Sequence, residues 1–245
     1  MNHKTHLLPG NVRVISDFFK KEDLDSIFNF CDKKIKLSHK LPLLFGKVVP
    51  LLFDLYPEIK QKIVSDKLKI ILAENIGIDI NNLVISRHSD YHKNTLSSWH
   101  DDLGSQKKYI SLRESRQNEI FKFALIKKAE GCKKNISTEF KFNKKRFKPN
   151  INNGDIIIFP VNIMHRGYPG SPIVSSIKKV FPKLFAEKTS YFLVNSLSNL
   201  LEKRDREAIF FTFGTESEIL RRFEEKNLLR AREQLYKYSI EALDN

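Results

Sequence analysis

Five short runs rich in β-branched and aromatic residues shape everything after position 83: LVIS at 83–86, IFKFALI at 120–126, FKF at 140–142, DIIIFPV at 155–161 and AIFFTF at 208–213. Runs of this length and texture read as strands, and their spacing is that of one barrel or sandwich. The first third of the chain has a different texture. Val12 to Ile15 alternate as a short strand, and Ser16 and Asp17 then precede a helix whose Leu24, Ile27, Phe28 and Cys31 follow the i, i+3, i+4, i+7 rule of one buried face. Leu51 to Tyr56 and Ile59 to Ile76 look helical, broken at Pro57 and closed by Gly77. Thr215-x-x-Glu218 after Gly214 reads as a capping box opening a last helix, with Ile219, Leu220 and Phe223 on one side.

No internal repeat and no Ser/Gly- or Pro-rich linker divides the sequence, so a single domain over residues 1–245 is expected. It comprises a helix-rich part over 1–80, a β part over 81–214 and a C-terminal helix over 215–245. The length supports one sizeable core, and an apolar share of 41% with 19 Phe excludes disordered and collagen-like classes. With 43 Lys and Arg against 29 Asp and Glu, the formal charge of +14 favours anionic partners: nucleic acid, phosphorylated or carboxylated metabolites, or an acidic membrane surface. No window approaches the roughly 18 apolar residues of a membrane span, and the N-terminus lacks the pattern of a secretion signal. The only cysteines are Cys31 and Cys132, which gives no disulfide framework and no Cys-based zinc site. A cytoplasmic location is the expectation.

The densest basic run, Lys141 to Lys148, interleaves its charges with Phe142 and Phe147 just after Phe140. Cations with stacking rings suit a single-stranded nucleic acid. A β-hairpin with core Phe and solvated Lys explains the same residues and is the favoured reading.

Two of the seven histidines stand in unusual contexts. His100 lies in SSWHDDLG, and in an extended segment positions i and i+2 point to one side, so His100 and Asp102 present an imidazole and a carboxylate to a common point. His165 ends GDIIIFPVNIMH on a later strand. Two His and one carboxylate on one face of an octahedral ion suit non-haem Fe(II) and leave three positions open. Each part alone has an ordinary explanation, a turn-capping Asp beside a partly buried His or a satisfied core histidine. Asp101 is not assigned to the metal, and Trp99 is expected to pack the barrel mouth.

At these residues the chain resembles the Fe(II)/2-oxoglutarate-dependent oxygenases, specifically their phytanoyl-CoA dioxygenase-like branch. The matching pieces, in order, are NVRVISDFFKKEDLDSI, SSWHDDLG, IFKFALIKKAEG and GDIIIFPVNIMHRGYPG. The resemblance implies a mainly β fold with flanking helices, a double-stranded β-helix or cupin-like jelly roll. It also implies His100, Asp102 and His165 as catalytic iron ligands, with 2-oxoglutarate and O2 as co-substrates and succinate and CO2 as products. Asp102 argues against the halogenating variant, in which the carboxylate is missing.

The far carboxylate of 2-oxoglutarate needs a fixed cation, which relatives supply as an Arg at the start of the strand after the distal His, with a hydroxyl two residues on. Two sites compete here. Lys188 with Ser190 keeps the hydroxyl, and Arg206 keeps the bidentate fork but is followed by Ala208. Arg206 is preferred, which makes residues 170–205 an insertion over the mouth, a lid. The expected activity is a dioxygenase, a hydroxylase of an anionic small molecule, lipid or sugar. The alternatives are a nucleic-acid-acting oxygenase of the same fold and a non-catalytic jelly-roll binding protein.

Overall fold

Burial on alternate sides of the central strands sorts most of their residues into two cores. The computed structural model describes residues 3–36, 39–43, 46–93, 95, 99–103, 119–128, 137–167 and 206–241. Its strands are β1 (Thr5–Leu8), β2 (Val12–Ile15), β3 (Leu41–Leu43), β4 (Gly46–Pro50), β5 (Leu83–Lys93), β6 (Ile120–Lys128), β7 (Thr138–Phe142), β8 (Lys145–Phe147), β9 (Ile156–Pro160), β10 (Met164–Gly167) and β11 (Arg206–Thr215). Helices α1 (Lys21–Lys34), α2 (Leu52–Leu55), α3 (Pro57–Ile63) and α4 (Asp66–Ile76) precede β5, and α5 (Glu218–Glu241) follows β11.

The strands form a large antiparallel sheet in the order β1-β2-β9-β6-β11-β5-β4-β3 and a small one in the order β10-β7-β8. An antiparallel bridge between His100 and His165 adds the His-x-Asp segment to the free side of β10. Two antiparallel sheets built from strands distant in sequence make the jelly roll that the motifs imply.

Odd positions Phe121, Phe123, Leu125, Ile209, Phe211 and Phe213, with Ile156 and Ile158, face the helices and pack with Leu24, Phe28, Leu52 and Leu68. Phe123 and Phe211 stack there with centroids 4.3 Å apart. The other face, with Ala124, Ile126, Ile157, Phe159, Ala208 and Phe210, closes on Phe140 of the small sheet and forms the interior of the roll. Such strands are covered on both sides, which is why β6, β9 and β11 read as nearly unbroken apolar runs.

Helix α1 buries Leu24, Ile27, Phe28 and Cys31 as its spacing predicts. Ser65 caps α4 by accepting from Leu68 N at 3.2 Å, and Gly77 ends it in the left-handed region at φ 73°. The cap of α5 differs from the expected box: Thr215 stays in β11 opposite Leu83, and the hydroxyl of Ser217 accepts from Leu220 N at 3.2 Å. The basic run lies largely in the β7–β8 hairpin, which ends at Phe147 and turns through Asn143 and Lys144 at positive φ. Phe140 is buried against Phe147, their centroids 5.5 Å apart, while Phe142 stays exposed. The interleaved rings thus serve the core more than a stacking platform. Among the described residues no helix is long and apolar enough to cross a membrane.

Candidate metal centre

Backbone pairing builds this site before any side chain contributes. His100 N donates to His165 O at 3.0 Å, His165 N returns the bond at 2.8 Å, and Asp102 N donates to Val161 O at 2.9 Å. The His-x-Asp segment is thereby pinned to the stretch that carries the chain from β9 in the large sheet to β10 in the small one. That stretch is itself set by the Gly154-Asp155 turn. Gly154 sits at φ 100°, where a Cβ would run into the Phe19 carbonyl, and Phe19 N donates to Gly154 O at 3.0 Å. The Asp155 carboxylate accepts from Asp17 N at 2.9 Å and Asn152 N at 2.7 Å.

One ligand atom each from His100, Asp102 and His165 falls within a mutual distance of 4.8 Å. The two imidazoles approach to 4.4 Å between centroids. His165 is buried, and its Nδ1 lies 2.9 Å from Ile163 O, so Nδ1 carries the proton and the Nε2 lone pair faces Asp102 Oδ2 at 3.7 Å. Burial first, then the charges of His100 and Lys122, outweigh the pull of Asp102 and lower the His165 pKa to about 4. The imidazole is therefore neutral at neutral pH, the form that ligates metals.

Asp102 is held by a residue that the motifs do not reveal. Lys122 on β6 donates to Asp102 Oδ1 at 2.8 Å, with both side chains only 9% exposed. Burial alone would raise this carboxyl. The charges of Lys122, His165 and His100 and the Lys122 hydrogen bond overcome it and keep the group well below the usual carboxylate range. Oδ2 is buried and makes no hydrogen bond. An ionised carboxylate with one oxygen tied to an ammonium and the other bare beside two imidazoles matches the chemistry of a monodentate ligand to a divalent ion.

Arg206, the first residue of β11, shares the interior face with Ala208, Phe210 and Thr212 and is 2% exposed. Its Cζ lies 6.0 Å from the Phe210 centroid, and burial lowers its pKa to about 10, so the guanidinium stays charged at neutral pH. Lys188, Ser190 and the proposed lid over 170–205 lie outside the described residues. Trp99 packs between Arg166, whose Cζ is 4.7 Å from the ring centroid and whose Nε donates to Glu139 at 2.6 Å, and Arg146 at 5.5 Å.

Besides Lys122, sequence reasoning misses His88, Asp90 and His92, which line the interior face of β5. Their alternation in RHSDYHK was the available signal: a period of two in polar residues marks a strand whose inner side is polar.

No protein-family model and no curated protein matches the sequence. Solved structures do match it. HygX from Streptomyces hygroscopicus, determined with nickel, 2-oxoglutarate and hygromycin B bound, is 10% identical over 84% of this chain and 82% of its own, at a TM-score of 0.53. SnoK, a non-haem α-ketoglutarate-dependent carbocyclase from nogalamycin biosynthesis, is 8% identical over 84% of this chain and 80% of its own, at 0.56. EctD from S. alaskensis with bound Fe is 11% identical over 84% of this chain and 73% of its own, at 0.53. The chain shares with them the jelly-roll fold of the Fe(II)/2-oxoglutarate-dependent oxygenases.

Proposed function

We propose that the protein is an Fe(II)- and 2-oxoglutarate-dependent dioxygenase that hydroxylates a small anionic molecule. The observation that carries this reading is the convergence of His100, Asp102 and His165 within 4.8 Å, with Asp102 Oδ2 buried and bare. In this reading His100, Asp102 and His165 hold the metal on one face. Bound there, Fe(II) and 2-oxoglutarate would activate O2, with CO2 and succinate released as a C–H bond of the substrate is hydroxylated.

The chain's own residues have three further tasks. Ile163 O fixes the His165 tautomer, and Lys122 leaves Asp102 a single oxygen to offer. Arg206, buried in the interior, supplies the planar fork that suits the far carboxylate of 2-oxoglutarate, and is preferred to Lys188 and Ser190 on that account. The +14 charge supports an anionic substrate, drawn in by a salt-sensitive field.

Fe(II)-dependent conversion of 2-oxoglutarate to succinate by the purified protein tests this. His100→Ala should abolish it while leaving the circular dichroism spectrum unchanged. Since loss of one partner of a buried charge pair costs about 3–5 kcal/mol, Arg206→Ala should raise the apparent 2-oxoglutarate constant about a hundredfold or more, and Lys188→Ala should change it little. Parental turnover by His100→Ala would remove the iron assignment, and the reverse ranking of the other two would move the clamp to Lys188.

A further inference from the structure

We infer that His92 is the second donor of the 2-oxoglutarate pocket, binding the far carboxylate alongside Arg206. The inference rests on the co-substrate reading above and adds a residue that neither the motifs nor the fold assigns. A carboxylate offers about four lone-pair sites, and one guanidinium fork occupies two of them, so a buried carboxylate needs at least one more donor.

The strand register places that donor. Arg206 and Ala208 lie on the same face of β11, and the residue opposite Ala208 on β5 is His92. Ala208, between Arg206 and Phe210 on that face, is wholly buried and carries only a methyl group. The His92 ring stands edge-on to Phe210 with centroids 5.0 Å apart at 74°, against the same phenyl ring that Arg206 Cζ approaches to 6.0 Å. Lys122 Nζ is 5.4 Å from that centroid as well, but it is committed to Asp102. Phe210 is thus a common wall on which a nitrogen-bearing side chain from each of three adjacent strands converges.

One nitrogen of His92 is already placed. Nδ1 lies 2.9 Å from the hydroxyl of Thr95, itself buried. If the threonine donates, Nε2 carries the proton and is the atom left to bind an anion. Burial first, and then Lys122, Arg206 and His100, outweigh Asp90 and lower the His92 pKa to about 3, so the ring is neutral at neutral pH. A neutral donor beside Arg206 lets one cation meet one carboxylate, without a second buried charge to compensate.

The test compares two ligands of the Mn(II)-loaded full-length protein by calorimetry without O2. The ligands are 2-oxoglutarate and 2-oxopentanoate, which keeps the oxo-acid head and lacks the far carboxylate. The parent should prefer 2-oxoglutarate. His92→Phe keeps the ring volume and removes the donor, and should weaken 2-oxoglutarate about 10- to 100-fold, the range for a hydrogen bond to a charged group, while leaving 2-oxopentanoate within about twofold. His92→Gln, which retains a neutral donor, should recover most of the loss, and His92→Leu, which removes the donor with a smaller side chain, should repeat the weakening if the phenylalanine variant does not fold. Unchanged 2-oxoglutarate affinity in His92→Phe, or equal weakening of both ligands, would overturn the role of His92. A parent that binds neither ligand, or does not distinguish them, would instead overturn the co-substrate reading.

Discussion

Replacing Lys122 with Met should destabilise the metal-free protein by about 3 kcal/mol at pH 7.5, and the difference should shrink as the pH falls below about 4. Lys122 and Asp102 are a buried pair at 2.8 Å, and removing one partner leaves an uncompensated carboxylate, which typically costs about 3–5 kcal/mol. The pH dependence follows from the direction of the Asp102 shift. In the parent the folded carboxyl lies below its unfolded value, so its contribution to stability is present above about pH 4 and is lost as the pH falls through the folded value. Without Lys122 the largest influence left is burial, which acts upward. The variant's carboxyl therefore loses much of its depression, and the gap between the two proteins opens as the pH rises through the parent's folded value. One proton of difference is worth about 1.4 kcal/mol per pH unit, so a gap of about 3 kcal/mol opens over roughly two units.

Urea unfolding with a chelator present, followed by the fluorescence of the only tryptophan, Trp99, measures this at pH 7.5, 4.5 and 3. Lys122→Met combined with Asp102→Asn should regain much of the loss, because no charge is then stranded. A difference below about 1 kcal/mol at pH 7.5, or one that stays constant across this range, would refute the reasoning.

Two further outcomes are expected. Gly154→Ala forces a side chain onto a positive-φ position that abuts the Phe19 carbonyl, and should lower unfolding free energy by about 2–3 kcal/mol in the same urea assay. The Cys31 thiol, buried and pushed up to about 12 by burial and by Glu207 and Asp32, should resist iodoacetamide in the native protein and react once the chain is unfolded, as peptide mass mapping would show.

What could be read from the sequence follows from which sides of an element are covered. Strands β6, β9 and β11 face a core on both sides and announce themselves as apolar runs. Helix α1 faces one core and announces itself by period. Strand β5 was legible only over its first four residues, since beyond Ile85 its inner face carries Ser86, His88, Asp90 and His92 while Ser89 and Tyr91 face the helices. Edge strand β1 was missed because Thr5 to Leu7 are exposed and supply no apolar pattern. The three residues of the candidate metal centre were legible from spacing, as i and i+2 in an extended segment and a histidine after a Gly-Asp turn. Lys122 was not, because a lysine in a strand normally marks the solvent side, and only tertiary packing shows that this one faces inward.

The interior face of the large sheet explains why these failures cluster. Across one row the residues run His88, Thr212, Lys122 and Phe159, from β5 through β11 and β6 to β9, so polarity falls from one side of the roll to the other. An apolar row would pack such an interior at less desolvation cost. The polar groups on the β5 side are held by one another: Thr212 lies 3.4 Å from His88 Nδ1, His92 is set by Thr95, and Lys122 by Asp102. The apolar core under the helices is built from the opposite faces of the same strands, so it stabilises the sheet without depending on what the inner face carries. That separation lets β5, β6 and β11 turn imidazoles, Lys122 and Arg206 inward while the fold rests on Phe121, Phe123, Phe211 and Phe213. Substitutions on the outer row should therefore change stability first, and those on the inner row ligand affinity, Lys122 excepted because it stands in both accounts.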